Sequence, residues 1–402
     1  MLLASSGVCW SADFQKGVDA YHTGDYATAI KAWSPLAEQG HVYAQAMLGS
    51  MYAEGEGVPQ DKQTAVKWYT LAAEQGHVYA QTMLGWMYAE GEGVAQAYQT
   101  ALKWYTLAAE QGHADAQAML GVMYLEGRGV PQEHPAAARW YTLAAEQGHA
   151  GAQYNLGVMY GGGQGVQQDH QTAVKWYARA AEQGHADAQY NLGGIYRKGQ
   201  GVQQNHQTAV KWYTLAADQG DANAQTSLGV MYDSGKGVQQ DYQTAVKWYT
   251  LAAEQGEANA QRNLGLMYLE GRGVSQDYKV AARWYILAAE LGNAGAQYNL
   301  GVMYDSGKGV QQDYQTAVKW YILAAEQGEA NAQRNLGLMY LEGRGVLKNH
   351  VYAHMWGSLA VMNGDGLGEK VRSSSEKQMT PQLIAEAQEL ARDCLKKKYK
   401  SC

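Results

Sequence analysis

Cysteine, proline and phenylalanine are scarce in this 402-residue chain, which holds 3 Cys, 5 Pro and the single Phe14. Cys9, Cys394 and Cys402 lay no disulfide framework along the sequence, so stability has to come from packing. On one straight helix Cys394 and Cys402 would stand about 12 Å apart along the axis, beyond disulfide reach, and a bond between them requires the helix to end first. No apolar run approaches the roughly 20 residues of a membrane span. Positive charge is also in deficit: 31 basic against 38 acidic residues leave a net charge of −7, so no overall field recruits a phosphate backbone and nucleic acid is not an expected partner. The one basic run, from Lys396 to Lys400, reads as a solvated helix end, with membrane attachment as the alternative. Catalytic motifs are missing too, with no HExxH, GxSxG, Walker-type loop or Cys-His nucleophile context. Neither an enzyme nor a cofactor is expected on these grounds.

What the chain has in excess is repetition. Trp68, Trp104, Trp140 and their successors to Trp356 recur every 36 residues, and the glycine pairs from Gly55/Gly57 to Gly343/Gly345 keep the same interval. Such a period marks stacked structural units. Nine units of 36 residues result, from 41–76 to 329–364. In the unit 221–256, Ala224, Leu228, Met231 and Tyr232 lie at helical spacing and stop at Gly235. After it, Tyr242, Ala245, Val246, Trp248, Tyr249, Ala252 and Ala253 fall within an arc of about 160° on a second helix, wide enough to touch two neighbours. The Gly-x-Gly-Val turn between them uses glycine for positive φ, and its varying middle residue, Glu56 to Arg344, reads as a solvent-facing loop tip. Gly229 and its equivalents in mid-helix cost roughly 1 kcal/mol relative to alanine, a cost that close helix approach would offset.

A lone helix pair leaves apolar surface wet, so the array needs ends. Residues 13–40 read as a shorter capping pair with a tight Gly24-Asp25-Tyr26 turn and a kink at Pro35. Residues 365–402 read as the other cap, with a last helix from about residue 380 started by Thr380-Pro381 and one apolar face from Leu383 to Leu395. Residues 1–12 read as the remnant of a secretory signal, although no Lys or Arg precedes Lys16 and Trp10 stands where a small residue is expected. A periplasmic or secreted protein follows from that reading, a cytoplasmic one if it fails.

The pattern A-x-A-Q-x-x-L-G-x-M-Y-x-x-G-x-G-V, followed by A-x-x-W-Y-x-x-A-A-E-Q-G, resembles the Sel-one-like repeat family, relatives of tetratricopeptide repeats, over residues 41–364. The resemblance implies an all-α fold, a right-handed α/α superhelical solenoid of tandem helix hairpins, and an adaptor that binds proteins or peptides in bacterial envelopes. Some relatives bind penicillin-like or peptidoglycan-derived ligands, but those carry cysteines that bridge each unit, and these are absent here. A peptidoglycan- or β-lactam-binding or -hydrolysing envelope protein, its hydrolysis carried by paired carboxylates, is therefore the alternative to a scaffold.

Copies of the unit can be compared within the chain. Three positions of the first helix vary while their neighbours repeat, at offsets 0, 4 and 7 along one helical stripe. On that stripe Trp86, Tyr154, Val158, Tyr190, Arg197, Arg262, Leu266, Tyr298, Val302, Arg334 and Leu338 form the expected protein-binding groove, Tyr, Trp and Arg being types favoured at binding hot spots. Relaxed surface is the plain alternative. Residues 233–274 and 305–346 differ only at Thr250 and Ile322, so repeat number is expandable, which favours a scaffold, expected to be a monomer. Histidine dissolves into the period: His41 to His185 start first helices as caps, while His134, His170, His206 and His350 share a packing position with tyrosines. His350 and His354 have the spacing of a metal pair but lack a third ligand, so no metal is expected. Glu74, Glu110, Glu146 and Glu254 read as a solvated face.

Overall fold

The computed structural model describes residues 12–400 and 402, so the signal-remnant reading of residues 1–12 falls almost wholly outside the described residues. Among these the chain forms twenty-two helices and no strand. It divides into two units, one reaching Ile195 and including Gly199–Gln203, the other holding Tyr196–Lys198 and Gln204–Cys402. The division falls in and just after the helix Ala186–Lys198, where the sequence period gives no sign of it.

The first unit opens with the pair Ala12–His22 and Tyr26–Glu38. Gly24 turns the chain at φ 79°, Asp25 caps the second helix by accepting from the Thr28 amide, and Pro35 lies inside a helix that continues to Glu38. Phe14 and Trp33 are fully buried between them, and the Trp33 indole donates to the Phe14 carbonyl at 3.1 Å.

Each repeat then places two helices of about 13 residues in antiparallel succession, as in Val42–Glu54 and Lys62–Glu74. The first glycine of the turn ends the first helix in the left-handed region, at φ 78° for Gly55, with its amide on the Met51 carbonyl. The second has a further reason to be glycine: a Cβ on Gly93 would stand 2.5 Å from the Lys62 carbonyl carbon, because this loop lies on the start of the preceding repeat's second helix. His134, His170 and His206 hold the same place under Gly165, Gly201 and Gly237, which is a packing role. The middle residue is not a free tip. Arg272 and Arg344 reach back to Asp233 and Asp305 at 2.7 and 2.6 Å, and Glu56 accepts from the Tyr21 hydroxyl at 2.7 Å. The turn is pressed onto the previous unit, so whatever follows its first glycine lies within reach of that unit's side chains.

The mid-helix glycine is explained by a tyrosine. A Cβ on Gly229 would stand 2.6 Å from the Tyr249 ring, and Gly85 meets Tyr105 in the same way at 2.8 Å. Tyr105 and Tyr249 are 1 % exposed, so the glycine gives up helix propensity to let a large ring lie across the helix.

One repeated residue does more than the sequence suggests. Gln45 is buried, donates to the Ala37 carbonyl of the preceding pair at 3.0 Å, and accepts from Gln75 at the end of its own second helix at 2.8 Å. The same amide joint recurs at Gln81, Gln117 and Gln153 in the first unit and at Gln225 and Gln297 in the second. At Gln261 the donor position holds Leu291, which is 59 % exposed, and the buried Gln261 Oε1 has no partner.

The second unit ends with a helix that sequence reading passed over, Gly368–Glu376, and then the expected Pro381–Lys396, capped by Thr380. Ala387, Ala391 and Cys394 face inward, with Ala391 and Cys394 closing over Met355, Trp356 and Leu359. That last helix does end before the second cysteine: Lys398 and Tyr399 turn the chain at φ 52° and 67°, bringing Cys402 back to Cys394 with Cα atoms 5.3 Å apart in a disulfide.

Candidate protein-binding surface

The stripe residues fall in both units. In the first, Trp86, Tyr154, Val158 and Tyr190 lie on the open side of the first helices, Trp86 at 40 % exposure and the others half-buried. In the second, Arg262, Leu266, Tyr298, Val302, Arg334 and Leu338 are half-buried and Arg197 is exposed.

At offset 0 the side chain has an intramolecular task. Tyr154 stacks on His185 with ring centroids 4.8 Å apart, Thr82 meets His113 Nδ1 at 3.3 Å, and Thr226 donates to Glu257 at 3.1 Å. Arg334 pairs with Asp365 at 2.8 Å, and Arg262 lies over Gly295. Thr82, Tyr154, Thr226 and Arg262 thus reach the start of the next repeat's first helix, and Arg334 reaches Asp365 ahead of the helix Gly368–Glu376. Offset 4, with Trp86, Val158, Leu266, Val302 and Leu338, is less engaged. At offset 7 Arg197 donates from Nε to the Tyr213 hydroxyl at 3.3 Å.

The cap residues themselves are resolved. His41, His77, His113 and His149 accept from the amide three residues on through Nδ1, at 3.0–3.4 Å. Burial pulls the His77 pKa below the ordinary histidine value.

A cavity of about 640 Å³ opens in the first unit where the opening pair meets the first two repeats. Its walls include Phe14, Tyr21, Tyr43, Met47, His77 and Tyr79, over a floor containing Ala46 and Ser50. Those two are stripe positions, at offsets 0 and 4. Where Tyr154 and Val158 stand in a later copy, small side chains here leave room.

His354, half of the expected helical pair, is fully buried; its Nε2 lies 3.0 Å from Glu376 Oε1 and its Nδ1 3.5 Å from Ser358 Oγ. Both ring nitrogens face protein atoms, and the contact ties Gly368–Glu376 to the last repeat. Among the described residues no three His, Cys, Asp or Glu side chains converge as a metal site.

The model of the Sel1 repeat matches nine consecutive stretches, 42–77, 78–113, 114–149, 150–185, 186–221, 222–257, 258–293, 294–329 and 330–365. The chain belongs to the Sel1 repeat family. Among solved structures it is similar to a protective antigen of uropathogenic Escherichia coli displaying an SLR fold, at 35 % identity and TM-score 0.55 over 96 % of this chain and 93 % of that one. It is also similar to a Sel1 repeat protein from Oxalobacter formigenes, at 34 % identity and TM-score 0.59 over 84 % of this chain and 97 % of that one. Curated proteins returned no match. The family frame starts one residue later than the frame read from glycine spacing, so the cap residue closes one Sel1 repeat and serves the helix of the next. This chain thus has the all-α scaffold fold of Sel1 repeat proteins. Sequence reading missed the glutamine joint and the cavity, although a buried Gln unchanged through nine Sel1 repeats was a visible signal for the first.

Proposed function

We propose that the protein is a non-catalytic, monomeric scaffold that holds protein or peptide partners against the open side of its first helices, in the bacterial cell envelope. The observation that carries this reading is the contrast along each first helix: Leu, Gly and Tyr repeat from copy to copy, while one stripe of partly exposed aromatic, aliphatic and basic residues changes. Large side chains on a rigid helical frame lose little entropy on binding, which suits recognition. Near-identical blocks at 233–274 and 305–346 suit the same role, because duplication extends a surface but seldom completes a catalytic constellation. A protective antigen among the relatives supports an exported location.

The test is capture from periplasmic and secreted fractions, read by mass spectrometry, with the full chain against a variant carrying Trp86→Ser, Val158→Ser, Val302→Ser and Leu338→Ser. These offset-4 positions are chosen because offset 0 also holds the repeats together. Loss of a specific partner at unchanged helicity is expected; a partner held equally by the variant would contradict the reading.

A further inference from the structure

The cavity in the first unit has a chemistry of its own. Four aromatic residues, Phe14, Tyr21, Tyr43 and Tyr79, share its wall, and no Lys, Arg, Asp or Glu lines it among the described residues. Tyr43 is 40 % exposed and stands edge-on to His77, with ring centroids 5.2 Å apart. A carboxylate sits behind one of the rings, Glu56 accepting from the Tyr21 hydroxyl at 2.7 Å. The wider field has the same sign. Between Ala12 and His113 there are eleven carboxylates against five lysines and no arginine, so this stretch carries a net −6 of the chain's −7.

Aromatic faces backed by negative charge attract a cation, and a guanidinium, being planar and weakly hydrated, gains more from ring faces and loses less on leaving water than an ammonium does. An acidic side chain would meet the same field as repulsion. The volume lies within the range of built ligand sites and accommodates a long side chain with part of its peptide backbone.

We propose that this cavity is a subsite for an arginine side chain of a basic partner peptide. The proposal rests on the reading of the first helices as a peptide-holding surface and narrows it, at one end, to one chemistry. Tyr21, Tyr43 and Tyr79 supply the ring faces, Ala46 and Ser50 the depth, and Glu56 with the acidic surroundings the field.

Fluorescence anisotropy with the full chain tests this, using three labelled ten-residue peptides: one with three arginines among alanine and glycine, one with citrulline at the same places, and one with glutamate. Citrulline keeps the shape of arginine and removes the charge. The arginine peptide should bind about tenfold or more tighter than the citrulline one at physiological salt, and the glutamate peptide should not bind. Tyr43→Ala should weaken the arginine peptide about tenfold. Ser50→Trp should do the same by filling the floor without changing any charge, and it is compatible with folding because the next repeat carries Trp86 at that position. Leu251→Ser, exposed on a second helix of the other unit and outside the stripe, should leave this affinity unchanged. Equal affinity for the arginine and citrulline peptides, or arginine binding indifferent to both Tyr43→Ala and Ser50→Trp, would overturn the subsite. If the offset-4 variant still loses its captured partner, that outcome overturns the subsite alone.

Discussion

In the first unit the first helices of successive repeats start on His41, His77, His113, His149 and His185; in the second they start on Asp221, Glu257, Asn293 and Glu329. Except at His185 and Glu329, whose side chains make no cap bond, the hydrogen bond is the same in both, from the amide three residues on, with Asp221 accepting at 2.6 Å where His77 accepts at 3.2 Å. Its chemistry is not. A carboxylate suits the positive end of a helix, whereas an imidazole serves only while unprotonated and opposes the helix dipole once charged. The second unit also clasps its turns with Arg272–Asp233 and Arg344–Asp305, at positions where the first unit has Ala53, Ala89 and Leu125 in place of the aspartate. The helix starts therefore differ in chemistry between the units, while ion pairs across the turns occur in both, Lys62–Glu92 in the first and Arg272–Asp233 and Arg344–Asp305 in the second.

The frame itself should respond alike in both units. Gly85→Leu and Gly229→Leu each drive a side chain into a buried tyrosine ring and should cost about 3 kcal/mol, read as unfolding transitions by calorimetry. Clearly unequal losses would mean that the two units do not share one packing scheme.

Acidification should separate them. His77 has a folded-state pKa below its unfolded value, so the unfolded chain takes the proton first; the stabilising contribution is complete above about pH 6.5 and is lost as pH falls toward the folded value. Between pH 7.5 and 5.5, amide exchange should rise in Val78–Glu90, the helix that His77 starts, and hold steady in Ala222–Ser234, which Asp221 starts. Each lost cap is worth about 1 kcal/mol. Replacing His77 with Asp should abolish the difference, and its persistence would place the acid response elsewhere.

Arg344→Ala should lower stability by roughly 1 kcal/mol, the pair being only partly buried. Burial already holds the Asp305 carboxyl above its usual range, with Arg344 pulling it back, so adding Asp305→Ala should recover part of the loss in a double-mutant cycle. The smallest expected effect is a gain. Leu291→Gln supplies the donor that the buried Gln261 Oε1 lacks and removes an exposed leucine, so the melting temperature should rise by the equivalent of about 0.5 kcal/mol.

Much of the frame was legible because each signal is local and copied: turn glycines at positive φ, the close helix approach implied by a glycine in mid-helix, and the Thr380-Pro381 start of the last helix. What escaped depends on neighbours distant in sequence. Gln45 looks like a polar residue out of place until the Ala37 carbonyl and Gln75 are set beside it. The disulfide needed Lys398 and Tyr399 in left-handed conformations that neither residue type advertises. The helix Gly368–Glu376 has little apolar period beyond Val371. At the candidate surface the variable stripe was visible, but its offset-0 members turned out to be joints, since their partners lie one repeat away. The cavity needed small residues at Ala46 and Ser50 beside an opening pair that breaks the repeat.

Deletion of residues 233–304 tests most directly whether each hairpin is held by its immediate neighbours. It joins Tyr232 to Asp305 in phase and removes two whole repeats from the second unit. A cooperatively folded, shorter protein is expected, with helix content reduced in proportion and arginine-peptide binding by the first unit unchanged. A chain that loses its helices or aggregates would contradict the idea that folding here is a sum of nearest-neighbour contacts.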